Sequence, residues 1–180
     1  MSQAKQIRHI INRLARLDAA EGWSGDLNPA QRAAIEYLAY ANRYSRSPSH
    51  VASYLNTTRG TMTQTLKALK NKGYIEERRF ESDKRSISYE LTEEGLEAAA
   101  LSNIILKTLS SQSKGLLCQI EHDLHHILRE SIEFGGQKPF GVCRACRYFE
   151  PKSSGGFCSL LLVKLSTEEA AQICHEQDPV

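Results

Sequence analysis

The sequence predicts a mainly α chain built around a winged helix-turn-helix (an α+β wing), with further helices on either side and a small cysteine-rich module at its end. Three observations carry that prediction. Apolar residues recur at helical spacing through most of the first 134 positions, two alternating runs follow directly on a pair of short helices, and four of the five cysteines fall in the last 40 residues. With 180 residues, 41% hydrophobic and 24% charged, the chain has a globular composition and room for one domain plus an appendage, not for a multidomain enzyme. No apolar run approaches the roughly 20 residues of a membrane helix, and no apolar stretch follows Lys5 and Arg8 as in an export signal. A cytoplasmic protein is expected. Neither a nucleotide-binding loop nor a convincing nucleophile–base pair is present, so an enzyme is not expected.

Taken in order, Ile7, Ile10, Ile11, Leu14 and Leu17 make residues 3–20 an amphipathic helix, which Gly22 and Gly25 end. Asn28 caps a second helix with Pro29 at its first position, and the Ser45 to Pro48 stretch ends it. A short helix is expected from about Ser49 to Leu55, then a polar turn at Asn56-Thr57-Thr58 that caps a helix from about Arg59 to Lys72, stopped by Gly73. That helix buries Met62, Leu66 and Leu69, so Gly60, Gln64, Lys67 and Asn71 face outward, flanked by Thr61 and Thr63, with no acid among them. The runs 74–79 and 86–91, joined by a charged link, read as a β-hairpin. A long helical region then runs to about Phe134, with Ser110 to Ser113 as a candidate break. Its apolar positions exceed what one small winged unit can cover, which points to a twofold homodimer.

Charge sharpens the reading. The chain is only +2, but between Arg43 and Glu90 ten basic residues face five acidic ones, so this segment is +5 and the remainder −3. A positive middle with two short helices, a turn and a basic-tipped hairpin fits a unit that lays its second helix in the major groove of double-stranded DNA. Gln64 can pair bidentately with an adenine edge. Thr57, Thr58, Arg59, Thr61 and Lys67 suit phosphate contacts, which set orientation without reading sequence, and the basic wing residues Arg78, Lys84 and Arg85 extend the same surface.

Several of these stretches together resemble the MarR family of bacterial transcriptional regulators. They are Asn28-Pro29-Ala30-Gln31, Arg59-Gly60-Thr61-Met62-Thr63-Gln64-Thr65-Leu66, Lys72-Gly73-Tyr74-Ile75, Asp83-Lys84-Arg85 and Leu91-Thr92-Glu93-Glu94-Gly95. The resemblance covers residues 1 to about 134, with the winged unit at about 28–95. It implies a dimer built from the first and last helices, a palindromic operator, a repressor's role, a wing arginine at Arg85 braced by Asp83, and a possible small-molecule effector.

Residues 135–142 read as a linker, and 143–180 as a module outside the family pattern. Cys143, Cys146, Cys158 and Cys174, with 2, 11 and 15 residues between them, can converge on one metal centre, Zn2+ or an iron–sulfur cluster. A Cys143–Cys146 disulfide or thiol switch, a purely structural zinc site and inert buried thiols with no cofactor remain as alternatives. Cys174 is expected on a helix opened by Ser166, and His175 in solvent. His122 and His126 share a helix face that reads as a solvated one, and Cys118 as a small hydrophobe at the dimer seam.

Overall fold

The computed structural model describes residues 1–21, 25–80, 83–101 and 103–179, and of residues 80 and 83–86 the backbone alone. Helix α1 (Gln3–Glu21) buries none of its residues. Helix α2 (Pro29–Tyr40) opens with a reciprocal cap: Asn28 Oδ1 accepts from the Gln31 amide at 2.9 Å, and Gln31 Oε1 accepts from the Asn28 amide at 3.2 Å. Its inward face, Ala34, Ile35, Tyr37 and Leu38, forms the centre of the core.

The Ser45 to Pro48 stretch does more than end that helix. Arg43–Ser45 form a 3-10 turn, and Pro48 opens α3 (Pro48–Tyr54) behind the Ser47 cap, because the first helical position tolerates a missing N–H. Asn56, at φ 50°, makes the sharp turn into α4 (Arg59–Asn71), whose first turn is capped by Thr58 Oγ1 accepting from the Thr61 amide at 3.1 Å. Met62, Leu66 and Leu69 are buried against α2 and α3 as the spacing predicts.

Strands β1 (Ile75–Phe80) and β2 (Asp83–Leu91) pair antiparallel from Ile75–Leu91 to Arg79–Ile87, with an irregularity between Arg79 and Phe80. The hairpin is locked at its base. Thr92 donates its hydroxyl to the Gly73 carbonyl at 2.6 Å and its amide to the Tyr74 carbonyl at 3.1 Å, and α5 (Glu93–Ala100) begins there. A Cβ on Gly95 would lie 2.1 Å from that Tyr74 carbonyl oxygen, so only glycine lets α5 pack this closely on the entry to β1.

The region expected as one helix with a possible break is three: α5, α6 (Ile104–Ser110) and α7 (Lys114–Phe134). Ser113 caps α7 at the predicted break; the earlier division, at 101–103, is made by Asn103, whose Oδ1 accepts from the Leu106 amide at 2.8 Å. Neither α6 nor α7 has a buried residue.

The last 40 residues fold as β3 (Gly141–Val142), a 3-10 turn at Cys143–Ala145, β4 (Phe149–Lys152), β5 (Gly155–Cys158), β6 (Val163–Leu165), α8 (Thr167–Ala170) and β7 (Ile173–Cys174). β4, β5 and β6 form one antiparallel sheet, and β3 pairs with β7. The capping box at Ser166 is present, yet Cys174 lies on a strand and not on that helix: α8 stops after one turn because Ile173 is held by Val142 on one side and, on the other, its carbonyl accepts a hydrogen bond from the Asn42 amide at 2.9 Å. The stretch read as a linker thus ends in a strand. Phe140 and Ile173 pack on the core of the winged unit, against which the module is docked.

Candidate nucleic-acid interface

On α4, Arg59, Gly60, Thr61, Gln64 and Lys67 are all exposed, and among the described residues Gln64 and Lys67 have no hydrogen-bond partner. Thr58 and Thr61 are engaged in the cap, their hydroxyls 2.9 Å apart, and Thr57 is half-buried in the turn. Capping fixes the first turn of α4, so the outward side chains project from a rigid base. Between α4, the hairpin, the start of α3 and the tail residues His175 and Glu176 lies a cleft of about 950 Å³, cationic on its α4 side through Arg59, Lys67 and Lys70. Lys70 reaches across to Glu77 at 3.0 Å.

Arg78 is committed within the hairpin, with Glu76 at 2.6 Å and Glu90 at 3.1 Å; alternation puts all three on one face. The side chains of Asp83, Lys84 and Arg85 lie outside the described residues. His126 of α7 is exposed, 3.7 Å from Glu130, and Cys118 is exposed in the single chain.

The four tail cysteines come from three segments, the 3-10 turn, β5 and β7, yet line one small cavity with Tyr148, Phe149, Leu160, Leu165 and Glu176. Cys143 and Cys174 are both buried. The neighbouring Cys174, with burial, holds the Cys143 thiol up, while Cys143, with the Glu176 amide, Asn42 and Ser45 beside it, draws Cys174 down against its own burial. Asn42 Nδ2 donates to Cys143 Sγ at 3.2 Å, and the Asp178 amide to Cys146 Sγ at 3.4 Å. Among the described residues, no group of three or more His, Cys, Asp or Glu side chains stands as a ready metal site.

Comparison with known proteins places a likeness on the winged unit: residues 25–86 match the MarR family model. The chain is similar in fold to FabT of Streptococcus pneumoniae in complex with DNA, at 22% identity, covering 73% of this chain and 96% of that one with a TM-score of 0.58. It also resembles a MepR–DNA complex of S. aureus (19% identity, 72% and 98% covered, TM-score 0.54). A third likeness is the transcriptional regulator BldR of Sulfolobus solfataricus (21% identity, 72% and 99% covered, TM-score 0.53). None of the curated proteins matches the chain. Among the described residues, no helix is long and apolar enough to cross a membrane.

Sequence reasoning missed how the winged unit and the tail meet. His175 is not in solvent: its ring stacks on His50 of α3 with centroids 3.4 Å apart, and its amide donates to Ser45 Oγ at 3.0 Å. Asn42, Ser45 and His50 carried no signal, since the partners lie more than a hundred positions away along the chain. His50 Nδ1 is buried without a partner among the described residues, and burial together with His175 pulls this ring down to about 4, Lys138 adding to the effect and Glu176 opposing it. A depressed folded value makes the stabilisation full above the unfolded value near 6.5, with progressive loss as pH falls toward 4. The ring is partly solvated, so the expected loss is about 1–2 kcal/mol. Thermal melts of wild type and His50→Phe across that window check this: the wild-type curve should fall relative to the variant, and parallel curves refute it.

Proposed function

We propose that this chain is a homodimeric, sequence-specific transcription regulator that represses by occupying a palindromic operator, and that the state of Cys143, Cys146, Cys158 and Cys174 sets its affinity. That state is one of metal occupancy, zinc or iron–sulfur, or of thiol oxidation. One observation carries the DNA reading: α4 of a unit that matches the MarR family model presents an exposed face of amide, hydroxyl and cationic groups with no acid, on a rigidly capped first turn. Two of the similar structures are complexes with DNA. Pairing of two chains is supported by α1, α6 and α7, which leave Ile10, Leu109, Leu116, Leu124 and Leu128 exposed. A twofold dimer sets two α4 helices against half-sites one or more turns of about 34 Å apart.

Gln64 reads a base; Thr57, Thr58, Arg59, Thr61 and Lys67 hold phosphates; Lys84 and Arg85, with Asp83 in support, extend the contact at the wing. Arg78, tied to Glu76 and Glu90, must give up one partner to join them. Gln64→Ala is expected to cost about 1–3 kcal/mol at one operator position and leave other sequences unaffected. Lys67→Ala should weaken every duplex alike and flatten the dependence of affinity on salt. Binding titrations over single-base operator variants at two salt concentrations separate the two; a uniform loss for Gln64→Ala overturns its assignment.

A further inference from the structure

We infer that Lys138, in the stretch joining α7 to the tail, is a further contact to the DNA backbone, and that Glu176 holds its ammonium group in place until a phosphate takes over. The inference rests on the proposed DNA reading of α4 and adds to it a residue outside the winged unit.

Anchors on both sides set Lys138 against the helix-turn-helix. Gly136, at φ 62°, turns the chain at the end of α7, where the Gln137 amide donates to the Ile132 carbonyl at 3.1 Å. Gln137 Nε2 then donates to Asn56 Oδ1 at 2.8 Å, and the Phe140 ring meets that of Tyr54 at 5.3 Å. Tyr54 ends α3 and Asn56 belongs to the turn into α4, so the lysine between these two anchors runs beside that turn.

What it borders decides its partner. Lys138 and Gln137 wall a recess of about 450 Å³ together with Ser53, Asn56 and Thr57. The residues lining it offer hydroxyls, amides and one cation, with no acid, which are the groups that hold phosphates and sugars. The carboxylate that Lys138 pairs with, Glu176, lines the larger cleft that holds Arg59, Thr63 and Lys67. The ion pair thus stands between Thr57 on one side and the cationic face of α4 on the other. The first helix of a helix-turn-helix is also the one that crosses the backbone.

The exchange of partners asks little of the protein. Lys138 is 55% and Glu176 32% exposed, and ion pairs open to solvent in this way hold weakly. An ammonium is a point charge on a flexible stem, so it swings from carboxylate to phosphate without losing a bidentate geometry. Glu176 is not left bare, because its Oε1 keeps His175 Nε2 at 3.0 Å. The duplex in turn releases a condensed counterion for each phosphate neutralised.

The test uses the full-length protein and a duplex that the wild type selects from a randomised pool. In Lys138→Gln the slope of log affinity against log salt should fall by about two, one contact from each chain of the dimer, with affinity about 10-fold lower at about 0.1 M salt and base preference intact. Glu176→Gln, which removes the acid and frees the lysine, should tighten binding. Duplexes with a neutral methylphosphonate at one backbone position at a time locate the contact: one position per half-site should weaken the wild type and leave Lys138→Gln unaffected. An unchanged salt slope or a weaker complex with Glu176→Gln overturns the inference. A Lys138→Gln defect of equal size at every neutralised position overturns it too, and assigns the residue to docking of the tail. If no duplex is selected, the DNA reading fails and this contact with it; if one is selected and Lys67→Ala flattens the salt dependence while Lys138→Gln does not, this contact alone fails.

Discussion

Placing aspartate at both Leu124 and Leu128 is expected to yield a folded, monomeric chain that binds its operator about 10³-fold more weakly than the wild type. Both side chains lie on α7, where they are 50% and 54% exposed, and α7 contributes no buried residue to the core. Two charges there cost the fold of a single chain almost nothing. In a twofold interface the same carboxylates are desolvated opposite their symmetry mates, and the like charges repel. Each separated chain then grips one half-site, and the advantage of simultaneous engagement disappears. Sedimentation and operator titration on the same preparation check this; a dimer of unchanged affinity refutes the assignment of α7 to the interface.

Gly95→Val is the substitution expected to damage stability most. Its β-carbon would lie 2.1 Å from the Tyr74 carbonyl oxygen and 3.1 Å from a methyl carbon of Leu91, and the first of these neighbours is backbone that cannot swing away. Relief requires moving α5 off the entry to β1, breaking the Thr92 bonds to Gly73 and Tyr74. A loss of about 3 kcal/mol follows, which lowers the melting temperature by about 6–12 °C in a chain of this size. Calorimetry measures it directly. A melt within a degree or two of wild type would mean that this approach is not required.

The winged unit was largely legible because its signals are local. Asn28 with Gln31, Pro29, Thr58 and Gly73 each act within a few residues, and the period of Met62, Leu66 and Leu69 alone sets which face of α4 turns outward. Where a local signal was overridden, tertiary pairing did it. Ser166 opens a helix as predicted, but the competition of Val142 and Asn42 for Ile173 cuts it short and makes Cys174 part of a strand. Pro48 was read as a terminator although the same residue is equally suited to begin a helix, and only the chain that follows decides between the two. The four cysteines could be named as a set, whereas the surround of Asn42, Ser45, His50 and His175 could not. Its members meet through folding across most of the chain length, and no spacing rule links them.

The seat of Phe140 matters for anyone wishing to reuse this protein. Its ring meets Tyr54 edge-on at 5.3 Å and Tyr37 at 6.3 Å, while β7, the partner of the strand that follows it, accepts a hydrogen bond from the Asn42 amide at the start of the turn. The appendage is thus a brace for the DNA-reading head as well as a place for its thiols. Chimeras that graft residues 28–95 onto a foreign receptor would leave that tyrosine shelf bare to water, and a transplant has to carry the terminal forty residues with it.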